Sequence, residues 1–335
     1  MATVMATDLH DTFGRNHNYL RISITEHCNL RCTYCMPADG IDLTPKPHLM
    51  TADEVVKIAS AVVGLGVDKI RLTGGEPLVR KDAREIILRL GELGTQLTLT
   101  TNGLLVHQFL DTFKQAKIET INVSLDTLIK KKYQQITRRN LFDTVLENVD
   151  LLLAEGFRVK INVVLMKGFN QDEIVDFIGL TEHKNVQIRF IEFMPFSGNA
   201  WDKSKLVTYS EIVNEVAAAF PNQIERITDA PNDTAKNFKI VGYEGSFAII
   251  SSVTNPFCST CNRIRLTADG KLKNCLFSDS ETSLLDALRA GESILPLIEQ
   301  NLLAKKAVRS GLDSDLKFQD PDAFSKNRSM IAIGG

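Results

Sequence analysis

Six short runs rich in β-branched residues recur through the first part of the chain, and amphipathic stretches separate them. The runs are 19–25 (YLRISIT), 68–74 (DKIRLTG), 96–102 (QLTLTTN), 120–126 (TINVSLD), 158–165 (RVKINVVL) and 185–194 (NVQIRFIEFM). Helical patterns fall between them at 52–63, 80–93, 104–115, 141–155 and 171–181. The fourth sets Leu141, Val145, Val149 and Leu152 on one helical face. Strand–helix alternation of this kind implies right-handed crossovers and a parallel sheet. The expected fold is therefore α/β: an incomplete (β/α)6 TIM-like barrel, shorter than the eight-fold form.

The alternation stops after Met194. A connector, PFSGNAWDKSK, leads to one helix (Tyr209 to Phe220) and short strands. A hairpin, IRLTADGKLKNCLF, follows with Asp269-Gly270 at its turn, then helical stretches at 282–290 and 292–306. This divides the chain into an N-terminal extension (1–18), the barrel (19–205), a smaller α+β domain (206–325) and a tail (326–335). A length of 335 residues, 44% of them hydrophobic, is enough for two such cores. The net charge of -2 offers nothing to nucleic acid. No apolar run approaches the ~20 residues that span a bilayer. The start lacks a signal-peptide core and carries Asp8 and Asp11, against a transit peptide. The expectation is a soluble cytoplasmic protein with no nucleic-acid or membrane partner.

All six cysteines lie in two triplets, Cys28/Cys32/Cys35 and Cys258/Cys261/Cys275. With no secretion signal the compartment is reducing, so metal ligation is preferred to disulfides. The first triplet, C-x3-C-x2-C, directly follows the first strand and so sits at the C-terminal mouth of the barrel, where this architecture places its chemistry. An Fe–S cubane has four irons, and three thiolates leave one open. The alternative is zinc with His27 as fourth ligand, awkwardly adjacent to Cys28. No histidine occurs after His183, so zinc at the second triplet would need Asp or Glu. Basic residues alternate into the barrel strands at Arg21, Arg71, Lys160 and Arg189, and Arg263 and Arg265 share one face of a later strand. Together they imply a polyanion between the domains; the plainer alternative is that several pair with surface carboxylates. In TGGEP (Thr73 to Pro77), paired glycines permit close backbone approach to a ligand, and Glu76 offers an acceptor for an ammonium. The chain turns apolar again at its end, MIAIGG, as if to dock.

These motifs (ITEHCNLRCTYCMP, LTGGEP, TTNGLLV, FIEFMPFSGN, CNRIRL and the terminal Gly-Gly) resemble those of the radical S-adenosylmethionine enzymes, over essentially residues 15–335. The resemblance implies a [4Fe–4S] cluster on each triplet. The open iron of the first chelates S-adenosylmethionine, which is cleaved to methionine and a 5′-deoxyadenosyl radical. It assigns Tyr34, Gly75, Ser124 and Met194 to S-adenosylmethionine. The branch it most resembles acts on GTP, held by Arg21, Arg71, Thr100, Lys160, Arg263 and Arg265, and opens molybdenum-cofactor biosynthesis by joining C3′ to C8. It places Arg189, Gly334 and Gly335 in the catalytic centre. Implied partners are cyclic pyranopterin monophosphate synthase downstream and an electron donor such as flavodoxin or ferredoxin, with a homodimer left open. Two rivals stand beside this: a radical S-adenosylmethionine peptide modifier, and a non-enzymatic Fe–S or zinc protein.

Overall fold

The computed structural model describes residues 9–36, 40–199, 201–314, 317, 318, 324 and 327–334. Six parallel strands lie side by side in chain order: β1 (Tyr19–Ser23), β2 (Lys69–Thr73), β3 (Gln96–Thr101), β4 (Thr120–Ser124), β5 (Arg158–Leu165) and β6 (Val186–Glu192). Helices α1 (Ala52–Gly64), α2 (Ala83–Gly91), α3 (Leu110–Gln115), α4 (Lys130–Thr137), α5 (Phe142–Ala154) and α6 (Ile174–Gly179) connect them. β5 shows how the sequence sorts itself. Val159, Ile161, Val163 and Leu165 are buried, while Lys160, Asn162 and Val164 between them stay half-buried on the other face. The Thr51–Glu54 capping box starts α1 by satisfying free N–H groups on both sides of the cap.

Helix α4 was not among the expected elements. Its sequence, KKKYQQIT, buries only Tyr133, Ile136 and Thr137, so its apolar periodicity is too weak to read. It has a clear task. The carbonyls of Thr137 and Ile136 accept from the backbone N–H groups of Arg31 (3.1 Å) and Thr33 (2.9 Å), bracing the loop that carries the first three cysteines.

Beyond β6 the chain adds to both open edges of the barrel sheet. β9 (Ser246–Ile250) pairs parallel with β6, and β8 (Lys236–Ile240) and β7 (Ile224–Arg226) follow it antiparallel. On the opposite edge β10 (Arg263–Leu266) pairs parallel with β1, then β11 (Lys271–Lys273) and β12 (Thr282–Ser283) continue outward. The order is β12-β11-β10-β1-β2-β3-β4-β5-β6-β9-β8-β7, one twelve-stranded sheet. The hairpin turn falls at Asp269-Gly270 as expected, with Gly270 at φ +70°. Helices α7 (Tyr209–Ala219), α8 (Leu284–Arg289), α9 (Leu295–Leu303) and α10 (Met330–Ile333) complete the described elements. Among the described residues, no helix is long and apolar enough to cross a membrane.

Glu192 locks the two parts of the chain together. Fully buried at the end of β6, its carboxylate accepts from the backbone N–H groups of Tyr209 (3.0 Å), Val253 (2.8 Å) and Thr254 (2.9 Å), and from the Thr254 hydroxyl. Replacement by alanine leaves four partly buried donors without their acceptor, each costing up to about 1–3 kcal/mol. Glu192→Ala should therefore lower the denaturant midpoint by an amount equivalent to at least about 2 kcal/mol. An unchanged midpoint would show that this carboxylate does not hold the parts together.

Candidate active site

One cavity at the C-terminal mouth of the barrel is lined by all six cysteines. The two triplets, more than 220 residues apart in the chain, thus face a common space. The first lies on the loop after β1, where Cys35 and Met36 donate their N–H groups to the Cys32 carbonyl at 3.0 and 2.9 Å. Among the described residues, no three Cys, His, Asp or Glu side chains converge where one metal ion could sit. Structural zinc needs its thiolates about 2.3 Å from one centre. Cysteine thiolates, the donors that each triplet brings to the cavity, are the ligands of Fe–S clusters.

The glycines of TGGEP serve the cysteine loop. A Cβ on Gly75 would lie 2.5 Å from the His27 carbonyl, and one on Gly74 2.7 Å from that of Thr25. Gly75 N–H donates to Thr25 O (2.7 Å) and Glu76 N–H to His27 O (2.8 Å), so only glycine allows β2 to run this close to the approach to Cys28. Gly75 also lines the cavity. The expectation for Glu76 is corrected. Its buried carboxylate is already taken by Leu78 N–H (3.1 Å), the Thr101 hydroxyl (2.8 Å) and Asn102 N–H (2.7 Å), and burial pushes its pKa up to about 7. It is outside the cavity lining and braces the end of β3 instead of meeting a ligand amine.

Tyr34, Ser124, Met194 and Thr100 all line the cavity. Tyr34 donates its hydroxyl to Asp126 (2.8 Å), and the other carboxylate oxygen of Asp126 accepts from Val164 N–H (2.8 Å). Burial raises the Asp126 carboxyl to about 6. The sequence reading missed Asp126, although a carboxylate two residues past a barrel strand is a signal. It also missed Asn102, whose side chain donates to Asn29 (2.7 Å) beside Cys28, and Arg309, which reaches the cavity from a distant segment with no motif around it.

The basic residues form a row set by strand register. Arg265 of β10, Arg21 of β1 and Arg71 of β2 are direct partners across adjacent strands, and all three line the cavity with Arg189 and Arg263. Burial, then neighbouring cations, push Arg21 down to about 10 and lower Arg71, Arg189 and Arg265. Tyr19 reports the same field. Burial works to raise its phenol, yet Arg71, Arg21, Lys69 and Arg263 draw it down to about 7. Nε of Arg21 and of Arg189 and the Thr100 hydroxyl are buried without partners among the described residues. Like charges packed together and unpaired donors aimed at one space form a site for a polyanion. Lys160 stands apart. It is half-buried on β5, with burial and the charges of Arg189 and Arg71 lowering its ammonium to about 8, and it is not among the cavity-lining residues.

The C-terminal segment docks here. Arg328 forks onto Asp269 (2.9 and 2.8 Å) and Glu281 (2.7 and 2.6 Å). Ile333 packs into an aromatic cluster of Phe196, Phe277, Phe318 and Phe324, with Met194 and Cys275 against it. The Gly334 carbonyl accepts from the Arg265 guanidinium. Gly335 lies outside the described residues.

Comparison with known proteins agrees with this geometry. The family model described as Radical SAM superfamily matches residues 22–181, and that described as Molybdenum Cofactor Synthesis C matches residues 186–310. The chain is 48% identical to the mitochondrial GTP 3′,8-cyclase of Arabidopsis thaliana, covering 98% of this chain and 83% of that protein. It is 40% identical to the GTP 3′,8-cyclase of Moorella thermoacetica, over 98% of this chain and 100% of that protein. Human molybdenum cofactor biosynthesis protein 1 is 45% identical over 97% of this chain, which spans about half (51%) of that longer protein. Among solved structures, Streptococcus suis SuiB bound to S-adenosylmethionine superposes with a TM-score of 0.59 at 17% identity, covering 81% of this chain and 65% of that one, a likeness of fold.

Proposed function

Because the chain belongs to the GTP 3′,8-cyclase family of the radical S-adenosylmethionine superfamily, we propose that it converts GTP to 3′,8-cyclo-7,8-dihydro-GTP, the first step toward the molybdenum cofactor. The observation that carries this reading is a single cavity lined by two cysteine triplets and by a row of buried arginines. In it, Cys28, Cys32 and Cys35 hold a [4Fe–4S] cluster with one open iron. Cys258, Cys261 and Cys275 hold a second. Tyr34, Gly75, Ser124 and Met194 surround S-adenosylmethionine.

When bound, cluster and S-adenosylmethionine together supply a 5′-deoxyadenosyl radical competent to remove H3′ from the ribose. The chain's own residues do the rest. Arg21, Arg71, Arg263 and Arg265 neutralise the triphosphate, with Thr100 and Arg189 as further donors and Lys160 adding charge from outside the lining. Binding energy from these remote contacts fixes C3′ and C8 where they can join. Overall the C3′–H bond breaks, a C3′–C8 bond forms, and one electron and one proton return to the base, so the product is an isomer of GTP. Asp126 holds the Tyr34 ring by its hydroxyl, and Gly334 orients Arg265. In the same reading the enzyme is cytoplasmic, takes electrons from flavodoxin or ferredoxin, and passes its product to cyclic pyranopterin monophosphate synthase. A homodimer is compatible with this scheme.

Substitution of the second-domain arginines tests the substrate assignment. Arg263→Ala or Arg265→Ala should each weaken GTP binding by about 1.5–3 kcal/mol, the scale of a hydrogen bond to a charged group. Cleavage of S-adenosylmethionine without GTP should persist in both. Equilibrium binding of GTP to the reconstituted variants measures this, and unchanged affinity in both would remove these residues from the substrate site.

A further inference from the structure

The N-terminal segment before β1 carries a buried polar chain that ends on the second cysteine triplet. Asp11, Arg15, His17 and Lys305 are all at most 8% exposed. Asp11 accepts from the Arg15 side chain, and Arg15 then donates to the carbonyls of Cys258 (2.8 Å), Ala307 (2.9 Å) and Lys306 (2.9 Å). The Arg15 fork thus ties the Cys258 loop to the segment after α9. Lys305 sits at the centre. Its three ammonium donors meet His17 Nε2 at 2.8 Å, the Arg263 carbonyl at 3.0 Å and the Cys261 sulfur at 3.5 Å.

The tautomer of His17 follows from its neighbours. Nδ1 faces the Leu9 carbonyl at 3.1 Å and must carry the proton, which leaves Nε2 as acceptor for the ammonium. Burial, with the Lys305 charge next, holds this imidazole near pKa 4, consistent with a neutral ring. No carboxylate forms an ion pair with Lys305 among the described residues. A buried ammonium costs several kcal/mol unless an anion compensates it, and among the described residues the acidic group it touches is the Cys261 thiol. Arg263 Nη2 approaches the same sulfur at 3.5 Å. The first triplet differs. Among the described residues, the hydrogen bonds to its sulfurs come from neutral donors to Cys28, Leu30 N–H at 3.4 Å and the Asn102 amide at 4.0 Å.

We propose that Lys305, held in place by His17, is a charged donor to the Cys261 thiolate that sets the centre on the second triplet to a higher reduction potential than it would have without that ammonium. This rests on the two-cluster reading above. Hydrogen bonds and positive charge at cluster sulfurs stabilise the more negative, reduced state. His17 is a positioning residue: it touches neither metal ligand nor substrate, and acts by fixing the direction of the Lys305 ammonium.

The test uses the full-length chain with Cys28, Cys32 and Cys35 replaced by alanine, reconstituted anaerobically so that only the second triplet carries a cluster. Its potential is titrated by electron paramagnetic resonance. Lys305→Met should leave the cluster about tenfold more oxidised at a fixed potential, a shift of about 59 mV to more negative values for a one-electron couple. His17→Leu should shift it in the same direction. His17→Gln, which keeps an oxygen acceptor for the ammonium, should restore most of the original value. If Lys305→Met assembles no cluster, the His17 pair decides. An unshifted Lys305→Met, or His17→Gln shifting as far as His17→Leu, overturns the inference. A parent chain that binds no cluster at all sinks the two-cluster reading itself, and the inference with it.

Discussion

A chain ending at Ile333 should still cleave S-adenosylmethionine but form no cyclised nucleotide. The described part of the terminus explains why. Gly334 adopts φ +66°, a backbone conformation that side chains rarely take, and a Cβ there would lie 2.1 Å from the Thr73 hydroxyl. The terminus therefore threads against the ends of β1 and β2, and its Gly334 carbonyl accepts from Arg265 at the β10 end of the arginine row. Removing Gly334 and Gly335 frees that guanidinium beside Arg21 and Arg263, whose charges drive it away from its present position. Misplacing a positioning group by about 1 Å can cost around a hundredfold in rate. The loss in product should be at least that large, with both clusters retained. Gly334→Ala, barred by both φ and the Thr73 contact, should show the same pattern. Product formation at an undiminished rate by the truncated chain would remove the tail from the mechanism.

The second large effect concerns the second triplet. With Cys258, Cys261 and Cys275 replaced by alanine, the anaerobically reconstituted chain should hold about half the iron of the parent, since each triplet carries one cubane. S-adenosylmethionine cleavage should survive, because the first triplet, TGGEP and the α4 brace are untouched, while product should fall below detection. Iron analysis and product assay on one preparation settle it. Unchanged iron, or zinc at this site in anaerobic material, would contradict the assignment.

Much of this architecture was legible because its signals are local. Runs such as RVKINVVL alternate at period two, the helix at Phe142–Ala154 shows a clear apolar face, and both cysteine triplets carry their spacing on short loops. Asp269-Gly270 announced its own hairpin. What could not be read depends on distant partners. Nothing in RIRL tells that β10 lies parallel to β1, the pairing that sets Arg265 beside Arg21. The same holds for β9 on β6: the sequence does not reveal that strands of the C-terminal part continue the barrel sheet at both edges. Glu76 looked like a ligand acceptor because the sequence does not reveal that Thr101 and Asn102 fold back to occupy it. Lys160 shares its strand face with Asn162 and Val164, which line the cavity, yet it is not itself among the lining residues. His17 and Lys305 gave no signal at all, being single residues whose meaning comes only from the contact between them.

The central claim is that GTP and S-adenosylmethionine react with each other in the cavity between the triplets. The most direct measurement is anaerobic turnover of GTP deuterated at C3′, with S-adenosylmethionine and a reductant, followed by mass analysis of both products. The account predicts that deuterium appears in 5′-deoxyadenosine, together with a nucleotide that separates from GTP on chromatography and lacks the label. S-adenosylmethionine cleavage that proceeds with all deuterium retained in unchanged GTP would contradict it.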